Sequence, residues 1–187
     1  MSVRFEATVE LLEQIKQRAE IVNRQIILLP PLGGLPSYAA GEIFYSLRQF
    51  SKQRKFGHAI SNNRAFIVNL PHRKSFSPHA GFYIGEITPS FSFYQGAPVF
   101  AVEIRSLDDY GPKADRQFAQ KRADYFAAGT LVVWNIDLLN NDVVRVYRAS
   151  DPDTPTSYHH GEIAEAEPAV PGWTIPVNDL FPEGTPS

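Results

Sequence analysis

The sequence predicts an α/β protein built on a mixed β-sheet, part meander and part crossover, with helices packed on it. Three observations carry this reading. The runs GHAIS, AFIVNL and AGFYIGEI, between residues 57 and 87, read as short strands separated by polar turns, which makes a meander. PVFAVEIRS, residues 98–106, is apolar on both faces as far as Val102, the pattern of a central strand covered on both sides. A helical stretch and then the run LVVWNI follow it, and a strand, a helix and a strand in that order are expected to form a right-handed parallel crossover.

The remaining elements follow from local pattern. FEATVELLEQIKQRAEIV places Val9, Leu12, Ile15 and Ala19 at helical spacing, predicting a short amphipathic helix. Two apolar runs flank Asn23-Arg24, a hairpin turn, and Pro30-Pro31 with Gly33-Gly34 closes the second strand. A second helix is expected from Ser37 as N-cap, with Ala40, Ile43, Phe44, Leu47 and Phe50 on one stripe. GPKADRQFAQKRADYFAAGT predicts a third, with Ala119, Ala123 and Phe126 inward and Gly129 as its stop. VVRVYRA pairs back after the turn DLLNND, and PAVPGWTIPVNDLFP reads as a proline-interrupted edge segment. His159-His160 lies in a polar turn, where adjacent side chains diverge and no third ligand is evident, so it reads as a loop.

A chain of 187 residues suits one domain, with an N-terminal helix and hairpin over about residues 5–30, a core over about 36–149 and a tail over about 150–187. With 43% hydrophobic and 20% charged residues the composition is that of an ordinary globular protein. No window approaches the roughly 20 apolar residues that cross a bilayer, and acidic residues stand where a signal peptide would be basic, so no membrane association and a cytoplasmic location are expected. Cysteine is absent, which leaves oxygen and histidine nitrogen as the only metal ligands. A net charge of -2 argues against a protein that coats nucleic acid indiscriminately, but not against a local basic face.

Polar residues converge at the ends of the apolar strands. Glu103 and Arg105 are two apart on one strand and share a face, and Lys121 and Tyr125 are four apart on the next helix and share a side. An acid at the C-terminal end of a strand, under a helix that reaches back over it, is where open α/β sheets place ligands. Taken alone, Glu103 reads equally well as half of a structural ion pair with Arg105 or Lys121.

The succession SPHAGFY, PVFAVEIRS, KRADYFAAGTLVVWNID, VVRVYR and PGWTIPVNDLF resembles the Uma-two family of bacterial nucleases, within the restriction-endonuclease-like PD-(D/E)xK superfamily, over roughly residues 20–182. The resemblance implies a restriction-endonuclease-like mixed β-sheet flanked by helices, an α-β-β-β-α-β core, in which acidic residues hold a divalent metal, magnesium or manganese, to cleave DNA. By that resemblance Glu103 is a metal ligand, Lys121 positions or deprotonates water, Arg105 steadies the phosphate and Glu42 is an acidic helper. His79 departs from the pattern: it stands where the family has the aspartate of its SPD motif, as the other metal ligand. A neutral imidazole suits manganese better than magnesium, so the resemblance leaves open a nuclease with altered metal preference, a crippled nuclease that still binds nucleic acid, and a binding module for nucleic acid or protein.

Arg48, Lys52, Arg54, Lys55 and His58 concentrate positive charge near the end of the second helix, which HRK at residues 72–74 would extend. Such a run is more often a solvated face than a phosphate surface. The apolar tail and edge strands make a homodimer an expectation as well.

Overall fold

A computed structural model describes residues 7–62, 64–87 and 92–184. Its frame is a six-stranded mixed sheet in the order β11 (Asp151–Tyr158), β10 (Val144–Arg148), β9 (Val132–Ile136), β8 (Phe100–Ile104), β6 (Ala80–Tyr83) and β3 (His58–Ser61), with β11 and β3 at its edges. The helix α2 (Gly34–Arg54), strands β3 (His58–Ser61), β6 (Ala80–Tyr83) and β8 (Phe100–Ile104), helix α3 (Pro112–Ala127) and strand β9 (Val132–Ile136) follow one another along the chain. That is the α-β-β-β-α-β order. β3, β6 and β8 are antiparallel, β8 and β9 are parallel across α3, and β10 (Val144–Arg148) returns antiparallel to β9. The edge strand β11 (Asp151–Tyr158) carries two prolines, which only an edge tolerates.

The meander is interrupted. AFIVNL contributes only β4 (Phe66–Ile67), which lies outside the main sheet between β5 (Ser75–Phe76) and β7 (Tyr94–Gln95). The first helix is also shorter than its apolar stripe: α1 (Val9–Glu13) stops early, and Ala19 opens strand β1 (Ala19–Val22) instead. The first two residues of the stretch FEATVELLEQIKQRAEIV, 5 and 6, lie outside the described residues. β1 pairs with β2 (Gln25–Leu28) across Asn23-Arg24, both in the left-handed region that a tight hairpin turn requires. α2 begins at Gly34, three residues before Ser37, with Gly33 as its cap.

Alternation along β8 divides the molecule. Phe100, Val102 and Ile104 face one side, where α2 buries Ala39, Ala40, Ile43 and Leu47. The tail packs there too: β12 (Ile163–Glu165), β13 (Thr174–Pro176) and a 3-10 helix at Val177–Leu180 bring Ala164, Trp173, Ile175, Val177 and Leu180 into the same cluster. The expected edge segment is therefore a cover over the core, anchored by Trp173 against Trp134 and Phe100. Ala101 faces the other side, with Phe76, Val133 and Tyr125 of α3.

α3 turns Ala114, Phe118, Lys121 and Tyr125 toward the sheet, whereas Ala119 and Ala123 are exposed and Phe126 is half-buried. The true inward stripe includes a lysine, so the apolar pattern selected the wrong face. Gly129, with φ 101°, follows the helix as its stop. Gly57 is also obligatory: its φ is 58°, and a Cβ there would stand 2.2 Å from the Phe82 ring. Among the described residues no helix is long and apolar enough to cross a membrane.

Candidate active site at the end of the central strands

β6 and β8 pair Ala80 with Val102, and the His79 amide continues the ladder by donating to the Val102 carbonyl at 2.9 Å. This sets His79 beside Glu103 on the α3 side of the sheet. The Glu103 carboxylate is buried, and α3 reaches it with two groups: Lys121 Nζ lies 2.8 Å from Oε1, and Tyr125 donates its hydroxyl to the same oxygen at 2.7 Å. Glu103, Lys121 and His79, three of the residues singled out in the sequence, thus form one cluster.

The hairpin supplies a fourth member that the sequence pattern did not single out. Glu20, in β1, lies 2.8 Å from Lys121 Nζ through Oε1, which also accepts the Ser77 amide. Its other oxygen meets Arg73 Nη1 at 2.6 Å, and Arg73 Nε donates to Asp124 at 2.7 Å. Gln120 and His72 both bond the remaining Asp124 oxygen. Three buried carboxylates, Glu20, Glu103 and Asp124, are therefore strung together by Lys121 and Arg73. Burying such charges is costly unless each is paired and hydrogen-bonded, and every buried side-chain polar atom among the described residues has a partner. The only sequence signal for Glu20 is a charged residue on a strand whose neighbours Ala19 and Ile21 are buried.

Two other expected residues lie elsewhere. Glu42 is half-buried on α2, which packs on the face of the sheet opposite Glu103. Arg105 shares the α3 side but closes the loop before that helix: it donates to the Asp109 carbonyl at 2.5 Å and to Asp115 at 2.6 Å, and its guanidinium lies over Phe118. Of residues 72–74, His72 and Arg73 are turned to Asp124, and Lys74 donates to the neutral Asn69 side chain.

The electrostatics follow from this packing. Burial acts to raise the Glu103 carboxyl, but the Lys121 ammonium outweighs it and holds the group below the carboxylate range. Glu20 is lowered in the same way, burial being outweighed by Lys121 and Arg73. Burial acts against the Lys121 ammonium, yet Glu103 and Glu20 raise it, so it stays charged. Burial, reinforced by both carboxylates, raises Tyr125. His79 is lowered by burial, with Glu103 opposing. Its Nδ1 is 3.0 Å from the Ile104 amide nitrogen and 3.3 Å from Glu103 Oε2. One nitrogen cannot accept from the amide and donate to the carboxylate at once. The shorter contact assigns the Nδ1 lone pair to the amide and the proton of the neutral ring to Nε2.

A pH profile follows. Glu103, Glu20 and His79 bind protons less readily folded than unfolded, so their stabilisation is present above the ordinary values, 4.5 and 6.5, and is lost as the pH falls. Tyr125 and Lys121 are raised, so their contribution is present below the ordinary 10.0 and 10.5 and is lost as the pH climbs past them. Denaturant unfolding is expected to give a stability plateau between roughly pH 7 and pH 10 with a decline on both sides. A flat profile down to pH 4 would contradict the assignment of a neutral buried His79 and paired carboxylates.

The arrangement can be tested for a divalent metal. The point where Glu20 Oε1 and Glu103 Oε1 converge holds the Lys121 ammonium, and Tyr125 takes the same Glu103 oxygen. The His79 nitrogen that faces Glu103 is Nδ1, already engaged by the Ile104 amide. Among the described residues no group of three or more His, Asp and Glu side chains is placed to hold a metal. Magnesium, which wants several oxygen donors in near-octahedral array, does not fit these residues as arranged.

Comparison with known proteins agrees with the fold. A crystal structure of a protein described as a putative nuclease from Anabaena variabilis superposes with a TM-score of 0.72 at 18% identity, covering 94% of this chain and 97% of that one. At that identity the likeness concerns the fold. No curated protein matches the chain. The family model described as "Putative restriction endonuclease" matches residues 5–178, a span that holds Glu20, His79, Glu103 and Lys121, and the chain belongs to that family.

Proposed function

We propose that this chain binds DNA through the nuclease fold while its centre, altered at His79, does not cleave DNA with magnesium. Family membership supports a nucleic-acid substrate. The observation that carries the loss of cleavage is the engagement of His79 Nδ1 by the Ile104 amide, which withholds from Glu103 a second donor for the same ion. Lys121 then acts as the standing counter-charge of Glu20 and Glu103 rather than as a group poised over water.

One observation favours a second reading. His79 and Glu103 are adjacent, and a turn of the imidazole that brings Nε2 inward would give a mixed nitrogen and oxygen pair, which suits manganese. In that reading the chain is a manganese-dependent DNA endonuclease.

A duplex-binding assay beside plasmid cleavage separates them. The first reading expects salt-sensitive DNA binding and no nicking in magnesium or manganese. Nicking in manganese that Glu103→Ala abolishes would establish the second. Nicking in magnesium that Glu103→Ala abolishes would overturn the first reading altogether.

A further inference from the structure

Beside the ion cluster lies a cleft of about 140 Å³ between α1, the start of β1 and residues 64–65. Its polar wall is formed by Lys16, Arg18 and Arg64, its apolar wall by Leu12, Ile15 and Phe93, and no carboxylate lines it among the described residues. Three cations gathered without an acid are notable in a chain of net charge -2. Lys16 and Arg64 are exposed and Arg18 is half-buried.

Arg18 ties this cleft to the centre. Its Nη2 donates to the Ser77 carbonyl at 2.5 Å and its Nε to the Ser77 hydroxyl at 3.4 Å. The Ser77 amide donates in turn to Glu20, which holds Lys121 against Glu103. Two of the five N–H donors of the guanidinium are spent on Ser77, which fixes its plane at the edge of the cleft. An arginine held in place and flanked by two exposed cations is suited to an oxyanion with several acceptor oxygens.

We propose that this cleft is a phosphate subsite, and that a DNA strand crossing the Glu103 centre seats a neighbouring backbone phosphate against Lys16, Arg18 and Arg64. The proposal rests on the DNA-binding reading above and adds to it the side from which the strand enters. It excludes the basic end of α2, whose helix packs on the opposite face of the sheet. A free phosphate offers the same oxyanion chemistry, so the experiment must tell the two sources apart.

The test is a salt titration of DNA affinity by fluorescence anisotropy on the full chain. Each phosphate contact contributes about 0.9 to the slope of log affinity against log salt. Lys16→Ala/Arg64→Ala is expected to lower that slope by about 1 and to weaken binding roughly tenfold at moderate salt, with unchanged thermal unfolding, while Lys52→Ala/Lys55→Ala leaves the slope as it was. A slope reduced only by the α2 substitutions would overturn the subsite and leave the DNA-binding reading intact. An unchanged DNA slope, together with loss of inorganic phosphate binding by phosphorus NMR in the cleft variant, would make this a small-anion pocket and overturn the DNA assignment. No salt-dependent binding by the natural protein would remove the DNA-binding reading itself, and the proposal with it.

Discussion

Arg73→Met is expected to destabilise the fold by about 3–5 kcal/mol, the cost of removing one partner from buried ion pairs, and to lower Tm by on the order of 10 °C. The arginine is 6% exposed and is the link between Glu20 and Asp124, at 2.6 and 2.7 Å. Methionine keeps much of the stem's volume over Phe76 but leaves two carboxylates in a protein interior with one cation fewer. The source of the loss can be separated from packing. If uncompensated charge is the cause, adding Glu20→Gln and Asp124→Asn to Arg73→Met should recover more than half of it, since neutral amides are cheaper to bury. A triple variant as unstable as the single one would place the loss in the stack on Phe76. A single variant within about 1 kcal/mol of the natural protein would mean that the ion network is not part of the frame, as exposed pairs are not.

The network also explains what was legible in the sequence and what was not. Strands β8 and β9 and the crossover through α3 were readable because a strand buried on both faces reads as a nearly continuous apolar run, and Phe100–Ile104 and Val132–Ile136 are apolar but for Glu103 and Asn135. The hairpin was readable because two polar residues between apolar runs leave few alternatives. Glu103 and Lys121 could be singled out because their motifs are local. Glu20 could not, because its meaning depends on Ser77, Arg73 and Lys121, each more than fifty residues away along the chain. Glu42 lies apart from the cluster for the complementary reason: its place on α2 is local information, but the face of the sheet on which α2 packs is not. The inward face of α3 was misjudged because Lys121 is half-buried while Ala119 is exposed, so polarity and burial part company where the cluster is. Sequence rules fail at this position because a charged group is being held in place by other charges.

His79→Asp is expected to create a divalent cation site. The position is beside Glu103 on the same face of the sheet, so the substitution adds a carboxylate to a cluster that already holds Glu103 and Glu20 around one ammonium. Like charges at such distances repel, and without metal the variant should be less stable than the natural protein by about 1–3 kcal/mol. A third carboxylate also supplies the oxygen donors that magnesium or manganese prefers. Binding to the folded state alone then restores stability, by about 2.7 kcal/mol at a metal concentration a hundred times the Kd. The readout is a metal-dependent rise in Tm measured against chelator, which needs no catalytic turnover. The rise should be present in His79→Asp, absent in the natural protein, and lost again when Glu103→Gln is added. An equal rise in the natural protein, removed by Glu103→Gln, would mean that His79 turns Nε2 to the ion and serves as a ligand after all, in favour of the manganese-dependent endonuclease. No rise in His79→Asp would mean that Lys121 cannot be displaced from between Glu20 and Glu103, and the obstacle to a metal would then lie in the ammonium rather than in the imidazole.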